Sequence, residues 1–475
     1  MDAIAELRSL VQILTSSIDT IEDTLRDSGF DFPSPHTPFT EESEAARYVP
    51  AVMDAVANMT AAATQLASYV RPPTMTIVNL SLMHAVSAAL NVIAEAHVPE
   101  VMRDSGSKGM HVIDLARPSG MDPLKLARLL RLAATKHVFV EVSPDVFAHN
   151  RASSLLDTGK SVDVILSNPI DKHTGVQGLS AWAGSMGDEF MKTQSYLPEA
   201  VLDPVSGHST DMYDVAFNRA FNTKDFFFGW YELPENRYRL SRFGYAMDAT
   251  AKMMVSKAIV DGLDWRGLGE GAVVVDVGSG VGAQALILAK ECPNLRIVLQ
   301  DRGPPLEDAK NYWKGELPGA LDTGRVTLQE HDFRTPQPVK NASVFLMRRI
   351  MHDYSDDICI DILRHLRDAA SPSTRLVIVD NVTPYACATE EANIKQAVNG
   401  SSSKTTPAPL LANRGDVNLT VYLMDILMMG LIGGLERTEA QFRDILEKSG
   451  WKLERVYKGS SPFSMSHHKV IAVPA

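Results

Sequence analysis

Ten residues, Val273 to Gly282 (VVVDVGSGVG), are the part of the chain whose types and spacing say most about chemistry. The β-branched run reads as a buried strand, the glycines as a turn, and Ala283 to Lys290 as the helix that follows. Gly278 and Gly280 let backbone approach a ligand where a side chain would collide. Asp276 stands just before them, where a dinucleotide's pyrophosphate would meet a carboxylate. A cofactor bearing an ammonium or sulfonium cation suits that carboxylate far better. Two later strands end in acids. LRIVLQD ends in Asp301, about 20 residues past the glycines and placed to accept hydrogen bonds from ribose hydroxyls. RVTLQEHDF offers Asp332 to an exocyclic amino group and Phe333 to the face of its ring. A lone acid at a strand end is ordinarily just solvated. Three in order after three strands point to an adenosyl cofactor.

A second constellation lies downstream: LMRRIMHDYSDD holds Arg348 and His352, LVIVDNVTP holds Asp380, and GGLERTEAQFRDILEKSGW holds Glu436. With VVDVGSGVG, these segments make the chain, from roughly Met75 to its end, resemble the plant-type small-molecule O-methyltransferases, in particular their fungal secondary-metabolism branch. The resemblance implies S-adenosylmethionine as cofactor and an obligate dimer whose N-terminal region closes part of the neighbouring active site. It implies that His352 is a general base oriented by Glu436. Asp380 matches a second acidic position, where plant members have glutamate, and Arg348 a basic position near the cofactor. Tyr354 stands where the family usually has tryptophan. The residue types suit the reaction. A phenol or enol becomes nucleophilic once deprotonated, and imidazole titrates close enough to neutrality to take the proton. A carboxylate behind the ring fixes its tautomer and stabilises the imidazolium.

Several elements must position these groups. Ile4, Leu7, Val11, Leu14, Ile18, Ile21 and Leu25 step by three and four residues, the seam of a helix that packs on its own subunit or on a partner. Ser28 to Phe39 reads as a linker. Alanine-rich helices are expected over Glu41–Tyr69 and Met75–Met102, then two helices and a two-strand wing over Asp114–Leu156. The expected division is a dimerisation helix (1–27), a helical winged-helix dimerisation domain (41–180), and a catalytic domain (181–475) with a helical lead-in to 265. VVVDVG, LRIVLQD, RVTLQEHD, ASVFLM and TRLVIVD alternate with helical stretches, which predicts an α/β fold: a class I methyltransferase, Rossmann-like parallel sheet. Residues 393–413 read as a flexible insertion. Phe226, Trp230, Phe243, Met247, Met424 and Met428 are core candidates that equally suit the wall of a flat, apolar pocket.

Composition narrows the rest. The 475 residues carry a formal charge of −12 and are 45% hydrophobic, enough for two packed domains and unhelpful for nucleic acid or an anionic membrane. Lys125, Arg128 and Arg131 on the winged helix do not reverse that balance. Cys292, Cys359 and Cys387 form no CxxC pair, so a reducing, cytoplasmic setting is expected. No stretch of about 18 uncharged apolar residues is expected, the richest, Val421–Leu435, containing Asp425. No compact His/Asp/Glu set suggests a metal. The leading expectation is O-methylation of an aromatic or polyketide-type small molecule. A cofactor-binding enzyme that performs dehydration or pericyclic ring closure is the alternative, and a non-enzymatic cofactor binder a third. The histidine–glutamate pair favours methyl transfer, because similar enzymes that perform dehydration or ring closure tend to lose the histidine, and a pure binder has no need of the pair.

Overall fold

All five apolar runs between 272 and 380 become strands of one sheet. The computed structural model describes residues 2–176, 178–252, 258–388, 406–459 and 468–475. They form two units, 1–253 with 404–417, and 254–403 with 418–475. The helical stretch 181–252 thus belongs to the first unit.

The second unit holds strands β4 (Ala272–Val277), β5 (Leu295–Asp301), β6 (Val326–Glu330), β7 (Val344–Arg348), β8 (Arg375–Val379), β9 (Trp451–Tyr457) and β10 (Lys469–Pro474). Their order is β6-β5-β4-β7-β8-β10-β9. The first five pair in parallel, and the order reverses beside β4, where ligands of open α/β sheets bind. The sheet is not wholly parallel: β10 runs antiparallel to both β8 and β9. Helices cover both faces. Leu363, Leu366, Phe442, Ile445 and Trp451 fill one side against Phe345 and Ile378, while Leu286, Leu288 and Trp313 fill the other against Val274 and Leu299.

The first unit begins with helix Ala3–Arg26, which packs on helix Pro50–Val70. Its core face differs from the expected seam. Leu10 enters a cluster with Ala57, Ala61 and Ala62, and Ile21 packs on Val52, whereas Ile4, Val11 and Ile18 are 56%, 49% and 54% exposed. The small alanines draw Leu10 inward, which rotates half of the seam outward. Both expected long helices are broken: Pro50 opens the first late, and the second becomes Pro73–Ser81, His84–Glu95 and Val98–Met102, with Pro99 in the first turn of the last. Pro73–Glu95 is uncharged up to its last residue, so a run long and apolar enough to cross a membrane by composition does exist, contrary to expectation.

The wing forms as expected, with one addition. β2 (Val140–Ser143) and β3 (Val146–Ala148) make the hairpin, and β1 (Met110–His111) adds a third strand beside β3. Arg131 on the preceding helix turns to its own wing, pairing with Glu141 at 3.0 Å and Asp145 at 2.5 Å. Of the expected insertion, 393–405 lies outside the described residues. The remainder is packed: Leu410 joins the Leu10 cluster, and Gln65 donates to the Pro409 carbonyl at 2.9 Å and accepts from the Leu411 N–H at 3.2 Å.

Candidate active site

The glycine turn after β4 is built from backbone. Gly278 and Ser279 N–H groups both donate to the Gln300 carbonyl at 2.9 Å. Gly278, Gly280 and Gly282 have φ of +70°, +56° and +74°. At Gly282 a Cβ would come within 2.9 Å of Leu299 and Trp313, so glycine is required there for packing. At Gly280 a Cβ would meet nothing within 4 Å: the turn is open on that side. Asp301 braces it, accepting from the Gly280 and Arg302 N–H groups at 2.7 Å each.

Asp276 is buried on the neighbouring strand. Burial pushes its carboxyl up to about 7; the Arg348 guanidinium opposes that shift, and Asp301 adds to it. Burial in turn lowers Arg348 to about 10, helped by Arg349. Beyond β6, burial alone would raise Asp332, but the Arg334 N–H at 3.0 Å and the Arg334 guanidinium together hold it below the usual carboxylate range. The Phe333 ring lies against the glycine turn, its Cε1 3.5 Å from the Cβ position of Gly278, and packs edge-on to Tyr354 with centroids 5.9 Å apart. Acids at the ends of three adjacent strands, an open glycine turn and a ring beside it fit an adenosyl cofactor with a cationic group. The raised Asp276 would ionise fully beside such a cation.

His352 follows β7 in a single turn of 3₁₀ helix, Met351–Asp353. Glu436 reaches it from the loop after helix Leu419–Ile432. Their contact is direct: His352 Nδ1 lies 3.0 Å from Glu436 Oε1. On the other side of the ring, Nε2 lies 3.3 Å from Asp353 Oδ1. Burial alone would lower the imidazole, but Asp353, the Glu436 hydrogen bond and Asp380 outweigh it and raise it to about 9. Asp380, at the end of β8, is 1% exposed, and among the described residues neither of its oxygens has a hydrogen-bond partner. Burial raises it to about 7, and raises Asp353 to about 6.

Other residues, unassigned in the sequence reading, pin these groups. Leu435 N–H donates to the His352 carbonyl at 2.9 Å, and a Cβ on Gly434 would come within 2.3 Å of that carbonyl oxygen. Only glycine permits that approach. Arg437, fully buried, donates to Asp356 at 2.7 Å and to the Met351 and Tyr354 carbonyls at 2.5 and 2.8 Å, so it clamps the histidine turn from behind. Its place in Glu436-Arg437-Thr438 was visible; that the arginine grips the turn 80-odd residues upstream was not.

The expected pocket residues divide. Phe226, Trp230, Phe243 and Met247 belong to the first unit, and Met424 and Met428 to the second. Trp230 is core: it is 7% exposed, packed on Phe221 and Phe217 at 4.5 and 5.3 Å, with Arg239 over its ring. Phe243 stacks on Tyr231 at 4.8 Å, and Phe226 packs edge-on to Phe228 at 5.4 Å. Phe228 is 36% exposed, so the outward-facing ring of the segment is Phe228 rather than Trp230. Met428 is buried, its Cβ 3.3 Å from the Cβ position of Gly434, which brings it beside the His352 backbone. Met424, four residues earlier on that helix, is half-buried.

Comparison with known proteins agrees with this geometry. Residues 196–406 match an O-methyltransferase domain model and residues 78–159 an O-methyltransferase dimerisation domain model. An O-methyltransferase of Armillaria gallica is 40% identical over 95% of both chains. A protein of Phanerochaete chrysosporium named 4-O-methyltransferase 1 is 38% identical over 99% of both. Among solved structures, one described as a pericyclic reaction enzyme shares the fold with a TM-score of 0.66 at 21% identity, over 89% of this chain and 94% of its own.

Proposed function

The chain belongs to the S-adenosylmethionine-dependent O-methyltransferase family, and from that premise we propose that it methylates a hydroxyl of an aromatic or polyketide-type small molecule, with His352 as general base. The observation that carries this reading is the 3.0 Å contact between His352 Nδ1 and Glu436 Oε1. A carboxylate at Nδ1 keeps the proton there and leaves Nε2 as the proton acceptor. The acceptor's hydroxyl takes the position beside Nε2 that Asp353 approaches at 3.3 Å. Its proton passes to Nε2, and Glu436 stabilises the resulting imidazolium. S-adenosylmethionine supplies an electrophilic methyl group on a sulfonium. With it bound, the acceptor oxygen would bond to that carbon as the carbon–sulfur bond broke, leaving the electron pair on sulfur. Asp276, Gly278, Gly280, Asp301, Asp332, Phe333 and Arg348 are the residues we assign to holding the cofactor. Asp380 adds negative potential beneath the imidazole.

In the second unit Met424 and Met428 supply adaptable apolar surface for such an acceptor; Phe226, Phe228, Phe243 and Met247 supply flat, apolar surface within the first. We also propose a homodimer. Helix Pro73–Ser81 exposes Met75, Ile77, Val78 and Leu80, and such a group of uncovered apolar side chains calls for a cover. It adjoins the dimerisation-domain match, so a second copy is the natural one. The pericyclic alternative has only a fold likeness in its favour, and it leaves the base without a task.

Two measurements test the reading. Calorimetric titration with S-adenosylmethionine should give micromolar binding that Asp301→Ala weakens by about ten-fold or more. Transfer of tritiated methyl to a panel of mono- and dihydroxyphenols should fall by about 10²- to 10⁴-fold in His352→Ala. Wild-type rates in that variant would remove the base assignment.

A further inference from the structure

Helix Leu419–Ile432 (LTVYLMDILMMGLI) is apolar along its whole length except at one charged position, Asp425. A carboxylate set in such a helix costs free energy unless something uses it. Burial holds Asp425 above the usual carboxylate range, and the neighbouring Glu436 charge adds to the shift. Its Oδ1 accepts the backbone N–H of Glu436 at 2.8 Å. That loop has no regular structure, so its shape depends on such tethers. The Glu436 carbonyl takes the Thr383 hydroxyl at 3.2 Å, and the Arg437 carbonyl takes the Thr383 N–H at 2.9 Å. Glu436 is therefore held by its carbonyl from β8's end and by its N–H from the apolar helix.

We propose that Asp425 is a positioning residue for the His352–Glu436 pair, fixing through the Glu436 N–H where that carboxylate meets Nδ1. The proposal rests on reading His352 as the base. A carboxylate displaced by even an ångström no longer holds the imidazole in one tautomer. Asp425 also does something a neutral acceptor would not: it brings a negative charge close to Glu436, although the two repel. An asparagine would make the same hydrogen bond without that repulsion. That charge stands beside Glu436, which with Asp353 and Asp380 raises His352, and Arg349 lies among the same three carboxylates.

The test uses the full chain with S-adenosylmethionine bound and follows the His352 imidazole by NMR titration of ¹³C-labelled histidine. The signal is assigned by its absence in His352→Ala. In Asp425→Ala we expect the single Nδ1–H tautomer to give way to a mixture, with the imidazole titrating lower by about one pH unit. Methyl transfer to the best phenol of the panel should fall about 10- to 100-fold in kcat, with cofactor affinity unchanged. Asp425→Asn keeps the acceptor oxygen, so it should keep the tautomer and most of the rate, while its rate rises with pH at a lower pH than wild type. An Asp425→Ala protein with the wild-type tautomer and rate would overturn the proposal. So would an Asp425→Asn protein as impaired as Asp425→Ala. Methyl transfer that survives in His352→Ala would instead bring down the base assignment, so the two failures are distinct.

Discussion

Each unit of the chain buries a cluster of charged side chains, and the two clusters are wired in opposite ways. In the first unit Arg242 lies among Asp188, Glu189 and Glu95, with Arg239, Lys192 and Tyr231 completing the set. Both Glu189 oxygens are hydrogen-bonded, one to Arg242 and one to the Tyr231 hydroxyl at 2.8 Å. Burial alone would raise Asp188, but its Lys192 and Arg242 bonds hold it below the usual carboxylate range. In the second unit Asp353, Asp380 and Glu436 crowd a single imidazole. Two of those carboxyls are pushed up by burial, and among the described residues both Asp380 oxygens and Glu436 Oε2 lack a hydrogen-bond partner. A network whose carboxylates are all paired holds a fold together; one with surplus acceptors around a base is arranged for a proton to move.

That contrast can be broken at either end. The largest effect should come from Arg242→Met. It leaves Glu189, which is fully buried, without its guanidinium, and should cost about 3–5 kcal/mol of stability, read by thermal or urea unfolding. A loss below about 1 kcal/mol would mean that the network is not what holds the unit. Asp380→Asn should act in the reverse direction. A carboxyl raised to about 7 in the fold, against an ordinary 3.8, stabilises most at low pH and loses that contribution as pH rises through 7. The amide has no such loss. The variant should therefore match wild type in stability near pH 4 and exceed it at pH 8, by roughly 1–3 kcal/mol, while transferring methyl more slowly. Equal melting curves at both pH values would show Asp380 to be ordinarily solvated.

Much of this was legible in the sequence, for identifiable reasons. The five parallel strands announce themselves because burial on both faces makes them continuous apolar runs. The glycine turn and its acids are legible because their order follows strand order. The antiparallel pair β9 and β10 was not foreseen: Lys452, Glu454 and Arg455 interrupt the apolar pattern of β9. The face of helix Ala3–Arg26 was misjudged by one position, since spacing alone cannot say that Ala57, Ala61 and Ala62 will sit under Leu10. Trp230 read equally as core or pocket; its ring went inward because Phe217, Phe221 and Arg239 enclose it. Arg437 and Asp425 were hidden for the same reason: each works on a turn or loop that the sequence places far away or leaves without a pattern.

The central claim is that His352 is a base set by its carboxylates, and its most direct test is the pH dependence of kcat/KM in wild type and Glu436→Gln. The free enzyme's imidazole must be neutral to accept a proton, so with an imidazole raised to about 9 the wild-type value should climb through the neutral range, reach half its plateau near pH 9 and level off above it. Removing the Glu436 charge lowers the imidazole, so the variant's rise should come at lower pH and level off at a lower rate. Two superimposable profiles, or a wild-type rate independent of pH between 6 and about 9, would contradict the account.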